Sequence, residues 1–173
     1  MASKVQSVMR LDPIRVSDAI TRPANTTAYT AGDAVSDATG NAMFEFDLTT
    51  RSGVYRGEIM VARITSSAGS VATALDGELW LFRTAPAAVA DNANWTVSDA
   101  EVLERIGIVE FNTANWRLNT NNCTCDVYPN IPFIGKLNGQ GGGLTLYGQL
   151  VARNAYTPAS AEVFTVELVL VSY

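Results

Sequence analysis

The sequence predicts an all-β fold, a jelly-roll-type β-sandwich with one short helix and an extended N-terminal arm. Three observations lead there. Short alternating apolar segments recur after residue 42, loops rich in Asn, Gly and Pro separate them, and a single stretch carries a helix start signal. At 173 residues and 18.5 kDa, a chain buries roughly 70% of its unfolded surface and holds a core without staples. The 47% hydrophobic content includes 23 alanines, so large apolar side chains are fewer than the figure implies.

Taken in order, residues 1–41 come first. They are rich in Thr, Ser, Asn, Asp, Gly and Ala, with Tyr29 the lone aromatic. Such a stretch cannot bury enough to order itself, so it is expected to be an arm that stays mobile or lies on another surface. Residues 42–173 form the expected sandwich domain. Residues 43–48 alternate weakly. In residues 55–65, Ile59 and Val61 fall on one face and Met60, Ala62 and Ile64 on the other, which predicts a strand buried on both sides. Residues 77–83 alternate Leu79 and Leu81 with Trp80 and Phe82, again apolar on both faces, and Trp80 is expected in the core.

The helix signal is Ser98-Asp99-Ala100-Glu101, a capping box whose hydroxyl and carboxylate satisfy early backbone donors. Val102, Leu103 and Ile106 then offer a short apolar face to plug one end of the sandwich. Residues 106–111 and 126–133 supply two further strands, the second confined to an edge by Pro129 and Pro132. The two clearest strands are C-terminal. Leu144, Leu146, Gly148, Leu150 and Ala152 line one face of the first, and Phe164, Val166, Leu168 and Leu170 one face of the second.

Composition narrows the chemistry. There is no His, which removes Ser-His-Asp and Cys-His sites and most catalytic zinc sites. A net charge of −5 repels a phosphate backbone, so no nucleic acid is expected as a partner. No apolar run is long enough for a signal peptide core or a membrane span, so neither export nor a membrane is implied; the Asn25, Asn94 and Asn122 sequons are then incidental. Cys123 and Cys125, one residue apart, read as reduced thiols in a loop or at a strand edge, with no further soft ligand nearby to make a metal site. Gly139-Gln140-Gly141-Gly142-Gly143 lacks the Lys-Ser/Thr of a phosphate loop and reads as a flexible turn. Glu45 and Asp47 share a strand face but signal no pocket that would split their acidities, so they read as solvated. No cofactor, metal site or catalytic residue is implied, and no enzyme is expected.

Two stretches reach past composition. The first is Ile20-Thr-Arg-Pro-Ala-Asn-Thr-Thr-Ala-Tyr-Thr-Ala-Gly-Asp-Ala-Val35, in which Pro23 holds Arg22 out of the helical region. The second is Asp91-Asn-Ala-Asn-Trp-Thr-Val-Ser-Asp-Ala-Glu-Val-Leu-Glu-Arg-Ile-Gly-Ile-Val-Glu-Phe111. Together they resemble segments of structural proteins of tailed bacteriophages, most closely head decoration or cement proteins. The resemblance implies a virion protein on the outer capsid surface, with the major capsid protein as partner and a homotrimer as its assembly. Under that implication the arm makes the attachment. Ile14, Val16, Ile20 and Tyr29 would be intermittent anchors, Pro23 would keep the chain extended, and Arg10, Arg15 and Arg22 would pair with acidic groups of the shell. The alternative is a carbohydrate- or receptor-binding module of a tail fibre, stacking sugars on Trp95, Trp116 and Tyr156.

Overall fold

Period-two alternation of large apolar residues decides which faces meet. The computed structural model describes residues 13–39, 43–49, 56–69, 75–134 and 144–173. Its strands are β1 (Ile14–Thr21), β2 (Ala34–Val35), β3 (Phe44–Asp47), β4 (Arg56–Ser66), β5 (Gly77–Phe82), β6 (Arg105–Phe111), β7 (Trp116–Asn119), β8 (Asn122–Val127), β9 (Ile131–Ile134), β10 (Thr145–Ala152) and β11 (Val163–Ser172), with one helix, α1 (Asp99–Val102), before β6. One sheet runs β1-β11-β4-β8-β7, with β9 following β8 along β4; the other runs β2-β10-β5-β6, with β3 beside β2 along β10. Every pairing is antiparallel. The chain crosses from sheet to sheet as β1, β2 and β3, β4, β5 and β6, β7 to β9, β10, β11. That winding is the jelly roll, two packed sheets sharing one core.

The core is the inward alternation of both sheets. Phe164, Val166, Leu168 and Leu170 of β11 face Leu79 and Leu81 of β5 and Leu146 and Leu150 of β10, all fully buried. At Gly148 an added Cβ would meet Leu79 at 2.9 Å and Phe46 at 3.1 Å, side chains of the flanking strands β5 and β3 that fill the space a larger residue would need.

The expected boundary at residue 41 is overturned. Residues 14–21 pair along most of β11, from Ile14 opposite Leu170 to Thr21 opposite Val163. Ile20, Tyr29, Ala34 and Val35 are core, and Arg22 and Ser36 are buried polar residues. An edge strand needs only one apolar face, and backbone pairing with buried polar contacts supplies what the apolar content does not. Residues 13–39 are therefore part of the sandwich and not an arm; Arg10 and residues 40–42 lie outside the described residues, as does the glycine cluster at 139–143.

Other expectations shift for local reasons. In β4 the buried positions are Gly57 and Ile59, then Ala62, Ile64 and Ser66. The parity changes because Val169 and Leu170 pair with Val61 and Ile59, leaving Met60 as an extra residue in a bulge. The strand is thus one-sided, and its mixed pattern comes from the bulge. The capping box at Ser98 and Glu101 is present, yet α1 buries nothing and Leu103 is 76% exposed, so it plugs no end of the sandwich. The expected 126–133 strand is split between β8 and β9; Pro132 sits in β9, which pairs with β4 alone. Cys123 and Cys125 are free thiols on the inward face of β8, between β4 and β7.

Candidate assembly surfaces

The residues expected to anchor the chain on a shell are largely consumed inside it. Arg22, fully buried, pairs through Nη2 with Asp91 at 3.0 Å. Its Nε donates to the Tyr29 hydroxyl, and its guanidinium lies 4.6 Å from the Tyr29 ring centre. The Tyr29 hydroxyl donates in turn to Asp91 at 2.5 Å, and the Ser36 amide donates to the same carboxylate at 3.1 Å. Tyr29 stacks on Tyr156, ring centres 6.2 Å apart. The Tyr156 hydroxyl donates to buried Glu162, which also accepts from the Ser66 hydroxyl and from the Ala159 amide at 3.0 Å. Burial, reinforced by the carboxylate each one bonds, pushes both tyrosines well above the usual phenol range. These groups lock loops together and present nothing to a partner.

That lock joins the two stretches singled out in the sequence. Besides the Arg22 and Tyr29 contacts to Asp91, the Ala34 amide donates to the Ala93 carbonyl at 2.8 Å, the Asn92 amide to Ala34 at 2.9 Å and the Trp95 amide to Gly32 at 2.7 Å. Gly32 adopts a φ of 102°, which suits glycine, and a Cβ there would meet the Asn94 side chain at 3.1 Å. Segments far apart in the chain form one substructure. Sequence reasoning gave no role to Asp91, which only opens the second stretch, or to Glu162, which sits in a loop with no motif around it.

The remaining predicted anchors are dispersed. Ile14 and Val16 are half-buried against the core, Ile20 is within it, and Pro23 offers its carbonyl to the Asn25 and Ala161 amides. Arg15 is exposed and pairs with Glu167 at 2.8 Å. Glu167 also meets Arg63 at 3.4 Å, and Arg63 grips Asp126 through two nitrogens, at 2.6 and 3.2 Å. The result is a row of alternating charges across β1, β11, β4 and β8.

The aromatics expected as sugar platforms fare no better. Trp116 is 3% exposed, its indole donating to the Leu75 carbonyl at 2.9 Å, and Tyr156 is 3% exposed. Trp95 is half-buried, its ring packed edgewise on Phe82. Trp80, expected in the core, instead lies half-buried on the outer face of β5, donating to Glu78 at 2.8 Å beneath the Arg105 guanidinium.

What is left open are the two lateral sides of the sandwich. On one, β1 and β3 pair with no further strand along their outer edges among the described residues. A cleft of about 550 Å³ there is lined by Asp18, Asp37, Glu45 and Asp47 together with Ile20 and Met43. Asp18 accepts from the Glu45 amide at 2.7 Å, tying the two edges, and the Thr49 hydrogen bonds hold Asp47 below the usual carboxylate range. On the opposite side lie β6 and β9. A cleft of about 280 Å³ there is lined by Arg83, Leu103, Arg105, Ile106, Pro132, Phe133 and Ile134. Leu103 and Ile134 are 76% and 70% exposed. Among the described residues, no group of three or more His, Cys, Asp or Glu is placed to hold a metal ion.

No protein-family model matches the chain, and no curated protein matches it. Among solved structures it is similar to one of turnip yellow mosaic virus, with 13% identity and a TM-score of 0.28 over 99% of this chain and 87% of that one. It is similar to Israel acute paralysis virus, with 13% identity and a TM-score of 0.32 over 99% and 82% of the two chains. Native Kashmir bee virus gives 14% identity and a TM-score of 0.33 over 99% and 79%. Scores this low leave nothing to build on, and the jelly roll is read from the strand order itself.

Proposed function

We propose that this chain is a structural protein of a virion, a bacteriophage capsid cement protein that binds the outer surface of the head and bridges neighbouring copies of the major capsid protein. The observation that carries the reading is the union of the two resembling stretches. Residues 20–35 and 91–111 are held together by the Arg22–Asp91 pair and by backbone hydrogen bonds, so the resemblance covers one coherent substructure. A jelly roll locked by buried polar contacts is suited to a rigid block between subunits. The net charge of −5 suits an outer surface better than a nucleic-acid-filled interior.

Attachment in this reading falls to residues 1–12, ahead of β1. They carry Lys4 and Arg10, with no acidic residue before Asp12. Heads stripped of the protein should recover full occupancy with the complete chain and a small fraction of it with a chain lacking residues 1–12. Equal occupancy by the two forms would assign attachment to the sandwich. Absence of binding by the complete chain would remove the cement reading. A longer deletion that reached past β1 would be no test, because it would take away β1 and the Arg22–Tyr29 lock.

A further inference from the structure

We propose that copies of this chain associate head to tail through their two lateral sides, the acidic β1/β3 side of one copy seating on the Leu103, Arg105 and Ile134 side of the next. The inference goes beyond the cement reading, since it concerns contacts between copies and holds whether or not the chain attaches to a shell. The occupant follows from charge and from topology. β1 and β3 form one lateral limit of the two sheets, and β6 and β9 lie toward the other, with β11, β4, β10 and β5 between them. The two surfaces therefore point away from each other and cannot meet within one copy.

Their chemistry is complementary. Asp18, Glu45 and Asp47 line the first cleft, and no cation among the described residues does. On the second, Arg83 is already held by Glu104 at 2.8 Å, but Arg105 makes no ion pair among the described residues. Leu103 and Ile134 stand beside it as exposed apolar side chains, the kind of surface that marks a contact site. Two acidic sides meeting face to face would set carboxylates against carboxylates, so a twofold pairing of like sides is disfavoured. Unlike sides meeting give a heterologous contact, and because the two sides point away from each other it extends from copy to copy as an open row.

The experiment uses two full-length variants with exposed substitutions, one per side. Glu45→Arg with Asp47→Asn alters the acidic side; Leu103→Asp with Arg105→Glu alters the other. Sedimentation at micromolar concentration should show an oligomer for the native chain and monomers for each variant alone, with association weakened at least about tenfold. Mixed in equal amounts, the two variants should associate again, because the intact side of each can meet the intact side of the other. A monomeric native chain, a variant that still assembles alone, or a mixture that stays monomeric would each overturn the proposal. Melting curves confirm that both variants fold; if either melts early, Glu45→Gln and Leu103→Ser replace them with the same expected pattern.

Discussion

Arg22 is fully buried and bonded to Asp91 and Tyr29, so its charge is compensated where water cannot reach. Removing one partner of such a pair strands the other, which typically costs about 3–5 kcal/mol. Arg22→Ala should therefore lower stability by about that amount in denaturant titration, whereas Arg15→Ala, on an exposed pair, should cost about 1 kcal/mol or less. Ala161 points the other way. It adopts a φ of 53°, a left-handed conformation costing an L-residue roughly 1–2 kcal/mol. Ala161→Gly should stabilise the protein by about 0.5–1 kcal/mol once the added freedom of the unfolded chain is subtracted. Of the anchor residues chosen from the sequence, Arg22 and Tyr29 find partners within their own chain. A cation in a polar stretch looks the same whether its carboxylate lies on another protein or in a loop far along its own chain.

Among elements, β4 shows how a strand can mislead a reader of periodicity. Ile59 and Ala62 both face the core because Met60 is an extra residue opposite the Val169–Leu170 step of β11. Deleting Met60 restores unbroken alternation from Gly57 to Ser66. Deleting Arg63 instead carries every following side chain to the wrong face. The Met60 deletion should leave a cooperative melt with a modest loss, while the Arg63 deletion, of the same length, should fail to fold. Strand β11 was legible because its inward positions alternate without interruption, and β5 and β10 because large apolar residues recur at every second position although Phe82, Gln149 and Val151 are buried as well. β1 and β2 were not, since β1 buries one strong apolar residue, Ile20, and β2 is two residues long. The helix was legible in its cap but not in its packing, because a capping box reports backbone satisfaction and says nothing of which face is covered.

For the whole molecule, the jelly roll was legible from strand count and polar loops, while its lateral clefts were not, because they join residues from β1 and β3 or from β6 and β9 that sit far apart in the chain. The polar lock leaves a thermodynamic signature. Tyr29 and Tyr156 are raised well above the ordinary phenol value by burial and by Asp91 and Glu162, and burial pushes Cys125 up to about 11. In the unfolded chain these groups ionise near about 10 for the phenols and about 8.5 for the thiol. The folded state thus holds protons that the unfolded state has lost, and stability declines as pH rises above about 9. Tyrosinate absorbance from the two buried rings should appear together with unfolding, not before it; a gradual rise in a still-folded protein would contradict the lock. The pairing of β1 with β11 has a consequence for synthesis. Ile14, among the first described residues, finds its place opposite Leu170, among the last. On the ribosome β1 waits without its neighbour until β11 has cleared the exit tunnel, so the sandwich cannot close before then. Stalled chains lacking β11 should be protease-sensitive throughout, and any premature stop yields a product with a bare sheet edge ready for quality control.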